Sequence, residues 1–487
     1  MRNSNYAILL AGGQGSRFWP QSRTLEPKQF LSFHNHSVKI PQKNYSLFEE
    51  TIKRVKGLIP SRNIFIVTLE LYRNQIDELI LPLGVPLENV IFEPEPKNTA
   101  PCIGAAIRLA SLFDADAKIC VLPCDHMIRN KKRFSVLLKN AFKLCADNLV
   151  IFGIPPSRPA TGYGYIRVAG SGKRFAGEKI YRVGDFIEKP DFHKAEKIFA
   201  DKRHFWNSGI FLGSSRIFLE EIKKYLPDLY QQLLKVRRPQ DLMKIWQRVK
   251  PISFDYGVLE KSKRILMIRA DNLGWSDLGS WQAWDEILDK DNAGNKFIGD
   301  VVNIESRNVT VLGSRRLIAT IALNDLIVVD TADALLITRK DKSEEVKKIV
   351  GLLKKGKRQE HYSHRTVKRP WGSYTVLEEG RCFKVKLIEV RPYKALSLQF
   401  HKKRSEHWVV IDGEAEIIKD GKRHYVSSNE SIFIPAHSIH RLINPARSAL
   451  KIIEVQSGDY LGEDDIVRLK DDFGRHNAHL ANDGGKR

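Results

Sequence analysis

Residues Ala7–Phe33 read AILLAGGQGSRFWPQSRTLEPKQFLSF. An apolar run breaks into Gly12, Gly13 and Gly15, and Arg17 and Lys28 then stand around Trp19, Pro20 and Pro27. A buried strand that opens into glycines lets backbone N–H groups come close to phosphate. A dinucleotide fingerprint needs GxGxxG, but Phe18 stands where the third glycine belongs. A P-loop needs GxxxxGK followed by Ser or Thr, and that is absent. A bare GxG would leave a phosphate loop and a plain tight turn equally open. The cations favour the loop: arginine grips two oxygens in a plane, and lysine acts as a compact point charge.

Outward from this stretch, strand-like and helix-like patterns alternate over the first 150 residues. YAILLAG, NIFIVT, NVIFEP and KICVLPCDH read as strands; SLFEETIKRV, YRNQIDELI and APCIGAAIRLASLF read as helices. That alternation predicts an α/β fold whose sheet, over these 150 residues, is mostly parallel and covered on both faces; the first domain is taken to run over 1–290, the reach of the family motifs given below. From 291 to 350 short strands and turns replace it, and a small β-rich, β-helix-like segment is expected. Residues 351–369 read as a helix end running into a basic, solvated linker; Arg339 to Arg369 holds 12 Lys/Arg against 4 Asp/Glu. From 370 to 480, FKVKLIEVRP, EHWVVIDGEAEIIKDGK, ESIFIPAHSIHRLINP and LKIIEVQSG predict an antiparallel β-domain.

The 487 residues carry a formal charge of +23, which suits anionic partners such as phosphorylated metabolites or nucleic acid. The five cysteines form no CxxC pair, so reduced thiols in a cytoplasmic protein are expected. The first apolar stretch is too short for a signal peptide, and no window reaches the ~18 apolar residues of a membrane helix.

The opening string closely resembles the signature of the sugar-phosphate nucleotidyltransferases, and among them the mannose-1-phosphate guanylyltransferases, AGGxGxRLWPxSRxxxPKQFL. Phe18 replaces the usual leucine. The resemblance continues through EPEPKNTAP (93–101), LPCDH (122–126), TGYGYI (161–166), FIEKP (186–190), WNSGIF (206–211), FDYGVLEKS (254–262) and GWSDLGSW (274–281). Lys97 stands where the family usually has arginine, and Ala160 where a glutamate commonly precedes Thr161-Gly162. The resemblance implies a Rossmann-like nucleotidyltransferase domain with a mixed sheet. It implies that Gly12, Gly13, Gly15, Asn98 and Thr99 bind the nucleotide, with Arg17 and Lys28 catalytic. Gly162, Glu188, Lys189 and Asn207 look like sugar-phosphate residues: a carboxylate and an amide can read hydroxyls, and a lysine can meet phosphate. The plain alternative for Glu188-Lys189-Pro190 is an exposed turn, and for Asn98 or Thr99 a helix cap. Asp125 follows a strand and Asp277 sits in a turn; two carboxylates at the carboxyl ends of strands can hold Mg²⁺.

In the last domain, Gln399, His401 and Glu406 are followed by Gly413, and His440 by Asn444. This resembles the paired cupin motifs, with glutamine in the first ligand place and His437 in a usual glycine place. Gln399, His401, Glu406 and His440 would suit Zn²⁺ or another divalent metal. The domain as a whole resembles the type II phosphomannose isomerase domain, a cupin β-barrel. The family string QMHHHRAEHW stands here as QFHKKRSEHW, so Lys402 and Lys403 replace two histidines and are expected to perturb the pocket. Arg404 is a candidate for the substrate's phosphate or the enediolate.

The expectation is a cytoplasmic enzyme that makes GDP-mannose and pyrophosphate from GTP and mannose 1-phosphate. It also interconverts mannose 6-phosphate and fructose 6-phosphate. A guanylyltransferase with a structural or regulatory cupin is the near rival, and a basic nucleic-acid-binding protein the distant one. No RRM, KH or zinc-finger pattern supports the latter. No membrane partner is expected; a homo-oligomer is left open.

Overall fold

The computed structural model describes residues 4–13, 15–32 and 45–473. Gln14 and Phe33 of the opening stretch, and 474–480 of the last expected domain, lie outside them. The chain divides into two compact units, Met1–Tyr362 and Ser363–Arg487. Among the described residues no helix is long and apolar enough to cross a membrane.

The first unit begins with β1 (Asn5–Leu10), β2 (Ile64–Leu69), β3 (Val90–Glu93), β4 (Lys118–Pro123), β5 (Met127–Ile128), β6 (Leu149–Ile154), β7 (Tyr165–Phe175), β8 (Glu178–Ile187), β9 (His204–Ser214), β10 (Ile265–Arg269) and β11 (Trp275–Ser276). Nine of them form one sheet in the order β3-β2-β1-β4-β9-β6-β10-β8-β7. Pairing is parallel from β3 through β4, and again between β6 and β10. It is antiparallel wherever β9 or β8 enters. The sheet is therefore mixed, as the resemblance implies, and the parallel pairing expected of the first 150 residues is found in β1–β4. The reason for the mixing is local: β7 and β8 are joined by Ala176-Gly177, both at positive φ, which is the chemistry of a two-residue hairpin and not of a crossover.

Alternate residues of β1 enter opposite cores. Ala7 and Leu9 face one helical layer, and Tyr6 and Ile8 face the other. The helix Leu47–Lys56 starts at a capping box between Ser46 and Glu49.

Residues Lys296–Ile298, Thr310–Leu312 and Leu326–Asp330 stack in parallel, as do Val301–Ile304 and Ile318–Ile321. These rungs form the expected β-helix-like segment. The basic stretch 351–369 begins as the end of a helix and is largely exposed. Val346–Lys355 is a helix, and Val346 and Val350 share a core with Phe18, Trp19, Trp281, Ile327 and Val329. Trp19 Nε1 donates to Glu360 O at 2.8 Å, and the Thr24 and Leu25 amides donate to His361 O and Tyr362 O. Buried Arg23 reaches Asp333 at 2.9 Å. The second half of the signature string is thus a docking edge for 333–362. Thr366–Arg369 is already the first strand of the second unit.

That second unit is two antiparallel sheets, of six and five strands, in a cupin-like arrangement. One end of its interior is apolar: Ile388, Val390, Val410, Leu450 and Ile452. The other end is polar, because single strands change chemistry along one face. In Arg404–Asp412 the inward residues run Arg404, Glu406, Trp408, Val410. In Leu450–Gly458 they run Leu450, Ile452, Glu454, Gln456. Antiparallel register sets Glu406 against Gln456 and Val410 against Ile452.

Candidate active sites

The glycine loop leaves β1 and is pinned from beneath. Gln29 Nε2 donates to Ala11 O (2.8 Å) and Gly13 O (3.0 Å), and Ser22 Oγ donates to Gly15 O (2.7 Å). Gly15 sits at φ 58°, and a methyl there would lie 2.5 Å from Lys28 Cβ, so the loop closes on Lys28 only with glycine. Gly13 is exposed and Gly12 half-buried. Beneath Gly12 lies Glu93, at the end of β3, whose Oε2 would be 3.1 Å from a methyl on Gly12. Glu93 is buried with Oε1 unpartnered, and burial pushes its carboxyl up to about 8.

The ribbon β5–β11 brings the two aspartates to this loop. Ser276 pairs with Met127, so Asp277 follows one strand where Asp125 and His126 precede the other. The buried Lys28 ammonium lies 2.9 Å from Asp125 Oδ2 and donates to the carbonyls of Asp277 and Leu278. Burial pushes Asp125 up, but Lys28 and His126 outweigh it and hold the carboxyl below the usual range. Asp277 Oδ1 accepts from Tyr163 OH (2.8 Å) and Gly279 N (2.9 Å). Its Oδ2 lies where a methyl on Gly279 would come within 2.4 Å, a cradle open only because residue 279 is glycine. Arg17 Nη1 donates to Gly279 O at 3.4 Å, and Arg17, Gly162 and Asp277 line one crevice. Two acidic oxygens beside a compact cation and an open cradle are a donor set that suits a hard divalent ion.

Tyr163 joins this crevice to the next cluster. Its carbonyl accepts from Lys189 N, and its ring packs on Trp206 and Trp275. Glu188 lies against Gly164 and pairs with exposed Lys189. Asn207 N donates to Gly164 O (2.8 Å) and Asn207 Nδ2 donates to Asp255 Oδ1 (2.9 Å). Burial, with Glu188 nearby, raises Asp255 to about 6. Asn98 and Thr99 stand at the start of another helix, tied to the residue before Asp255. Asn98 precedes the helix Thr99–Phe113 at φ 62° without capping it through its side chain, and Thr99 Oγ1 accepts from Phe254 N (2.8 Å). Sequence reasoning quoted the motifs holding Glu93, Tyr163 and Asp255 but gave those three no chemistry. Their signal was present as polar residues at strand ends and turns.

In the second unit, one ligand atom each from His401, Glu406 and His440 fit within 4.8 Å of one another, all buried. His440 Nδ1 faces Ser438 O at 2.9 Å, which leaves Nε2 as the lone-pair side, and Nε2 has no hydrogen-bond partner. Both ring nitrogens of His401 also lack one, although Nε2 is only 3.0 Å from Glu406 Oε1. Closely spaced, buried, unpartnered imidazole nitrogens around a carboxylate fit a divalent metal better than a hydrogen-bond network. Against its burial, His401, His440 and Arg404 hold Glu406 well below the usual carboxyl range, while burial and the Glu406 charge raise Glu454 to about 8. Gln399 pairs in register with His440, and its Oε1 accepts from Ser397 Oγ (2.7 Å). Arg404 is buried, donating to Glu406 Oε1 (3.1 Å) and Gly462 O (3.0 Å). Lys402 and Lys403 depart from expectation. Both side chains are exposed, their backbone amides are held by Asp465, and Lys403 Nζ lies over Tyr460. They occupy the turn between two strands, outside the inward alternation, and do not enter the pocket.

Comparison with known proteins follows this division. The family profile "Nucleotidyl transferase" matches residues 6–294, "MannoseP isomerase/GMP-like beta-helix domain" matches 299–353, and "Mannose-6-phosphate isomerase C-terminal" matches 356–471. The chain is 39% identical to the alginate biosynthesis protein AlgA of Pseudomonas aeruginosa, over 96% of this chain and 97% of that protein. It is 38% identical to a mannose-1-phosphate guanylyltransferase of Escherichia coli, over 96% and 98% respectively. A solved structure titled mannose-1-phosphate geranyltransferase, from Thermus thermophilus, matches with a TM-score of 0.63 and 27% identity, over 72% of this chain and 99% of that one.

Proposed function

The chain belongs to the mannose-1-phosphate guanylyltransferase family, with a C-terminal mannose-6-phosphate isomerase domain, and from that premise we propose how its residues divide the two reactions. In the first unit a phosphate oxygen of mannose 1-phosphate attacks the α-phosphorus of GTP, and pyrophosphate leaves. GDP-mannose is the product. The observation that carries this is that Arg17 and Asp277 line one crevice, while Lys28, paired with Asp125, donates to the carbonyl of Asp277 beside the glycine loop. Backbone N–H groups of Gly12, Gly13 and Gly15 receive the triphosphate. Lys28, which otherwise neutralises Asp125, and Arg17 offset charge as it shifts to the leaving pyrophosphate. Asp125 and Asp277 would hold Mg²⁺, which supplies further charge neutralisation when bound. Glu188 and Asn207, oriented by Asp255, read sugar hydroxyls; Lys189 reaches the sugar's phosphate once released from Glu188. Asn98 and Thr99 flank the base. Pyrophosphate release from each pairing of nucleoside triphosphate and hexose 1-phosphate tests the reading. GTP with mannose 1-phosphate should be fastest, and a faster pair would overturn the assigned preference.

In the second unit, His401, Glu406 and His440, with Gln399 adjoining, would hold Zn²⁺ or another divalent metal, which polarises the substrate's oxygens when bound. The unit moves a proton between C1 and C2 of the hexose 6-phosphate, and Arg404 stabilises negative charge on those oxygens. The described cysteines are all unpaired, which accords with a reducing cytoplasmic setting.

A further inference from the structure

Lys386 is a lysine at a core position. It lies in Phe383–Val390, where Ile388 and Val390 point into the apolar core, and register sets it against Glu454 in the neighbouring strand. It is 5% exposed. A buried charge pair adds little stability compared with an apolar pair of the same volume, so its retention calls for another reason. The ammonium lies 2.7 Å from Glu463 Oε1, 3.8 Å from Glu454 Oε1 and 4.9 Å from the centre of the Tyr374 ring. Arg369 shares that ring at 5.5 Å. Glu463 opens the turn Glu463–Asp465, and its side chain is 41% exposed. The turn follows Gly462, whose carbonyl accepts from Arg404 Nη1. Gln456 Nε2 donates to both Glu454 (2.8 Å) and Glu406 (3.1 Å), which links this cluster to the metal-type carboxylate.

We propose that Lys386, with Arg369, is the phosphate-binding end of the hexose 6-phosphate pocket, and that Glu463 fills it until the substrate's phosphate displaces it. The inference rests on the isomerase half of the reading above. Four cations and three carboxyl groups line this cavity. Swinging the exposed Glu463 outward leaves the cations in excess, as a dianionic phosphate requires. An ammonium donates to a phosphate oxygen in the same geometry as to a carboxylate oxygen.

The test uses the full chain loaded with divalent metal. Inorganic phosphate serves as a competitive inhibitor of mannose 6-phosphate turnover, so that its Ki reports this pocket and not the GTP site. Lys386→Met should raise that Ki and the KM about 10–100-fold, the cost of one charge-assisted contact, with metal content unchanged. Glu463→Gln should lower both, and it decides the matter alone if Lys386→Met fails to fold. Ki values unmoved in both variants, or a raised Ki in Glu463→Gln, would overturn the subsite. Hydrogen exchange separates the two layers of the claim. Mannose 6-phosphate should speed exchange at 459–466 in the wild type, because Glu463 leaves Lys386, but not in Lys386→Met. Turnover without that change sinks the subsite and keeps the isomerase. The change without turnover keeps the subsite and sinks the isomerase. Neither one sinks both.

Discussion

The crevice of the first unit and the pocket of the second are both charged sites, yet they are built in opposite ways. In the first, the charged groups sit on loops. Arg17, Lys28, Asp125 and Asp277 follow strands or turns, and the fixed partners around them are largely backbone: Gly279 O, Leu278 O and Gly279 N. In the second, they sit within strands. Lys386, Glu406 and Glu454 take places in the inward alternation that apolar residues fill a few positions further on, and their partners are mainly side chains. A loop site can open to a large triphosphate and tolerates half-exposed groups. A strand site keeps its charges dry, at fixed spacing, and must satisfy every one of them internally.

The sharpest way to break this contrast is Lys28→Ala. It should cut pyrophosphate release by roughly 10²–10³, the usual cost of one preorganised electrostatic contact, and leave isomerase turnover untouched. Near-normal release would remove Lys28 from the active site. Next in size, His401→Ala should abolish bound metal in protein expressed without a histidine tag, by elemental analysis. Retained metal would mean that the imidazoles are only packed. Asp125→Asn and Asp277→Asn should each raise the Mg²⁺ concentration needed for half-maximal transfer by about 10-fold or more. A normal Mg²⁺ requirement in either would reduce that aspartate to a turn residue.

A smaller effect concerns Glu93, a dry carboxyl under the otherwise open loop. Its folded-state value, about 8, lies above the unfolded 4.5. The proton it keeps on folding therefore contributes stability that is complete below about pH 4.5 and lost as pH rises towards 8. Glu93→Gln should melt close to wild type at pH 5 and above it at pH 8, by about 2–4 °C for each kcal/mol relieved. A gap that does not widen with pH would show that Glu93 ionises freely. Smallest of all, Lys403→His should change isomerase turnover by no more than about twofold, as expected of a surface position. A large gain would place residue 403 in the pocket after all.

Legibility followed the same contrast. The glycine loop is one contiguous string, and the closeness of Gly15, Arg17 and Lys28 could be read from it. Polar residues inside strands were harder. His401 and Glu406 stand at a motif's spacing, whereas Lys386 and Glu454 match no motif and were given no chemistry. For Lys402 and Lys403 a sequence gives the distance from the ligands but not the side to which the turn points them. The charge of 351–369 says where solvent is tolerated but not that the carbonyls of Glu360, His361 and Tyr362 accept bonds from the signature string.

Local chemistry by itself determined the strand that ends in glycine, the helices, the short strands of the middle segment and the alternation of the last domain. All of these depend on contacts within a few residues. The tertiary structure alone decided that Asp277 stands beside Asp125, that Tyr163 joins the two clusters of the first unit, and that Lys386 faces Glu454. It also decided that the second half of the signature string serves as a dock for 333–362. Each of these depends on which strands pair and in what register, and register is set by the burial of a whole face, a property no short stretch contains.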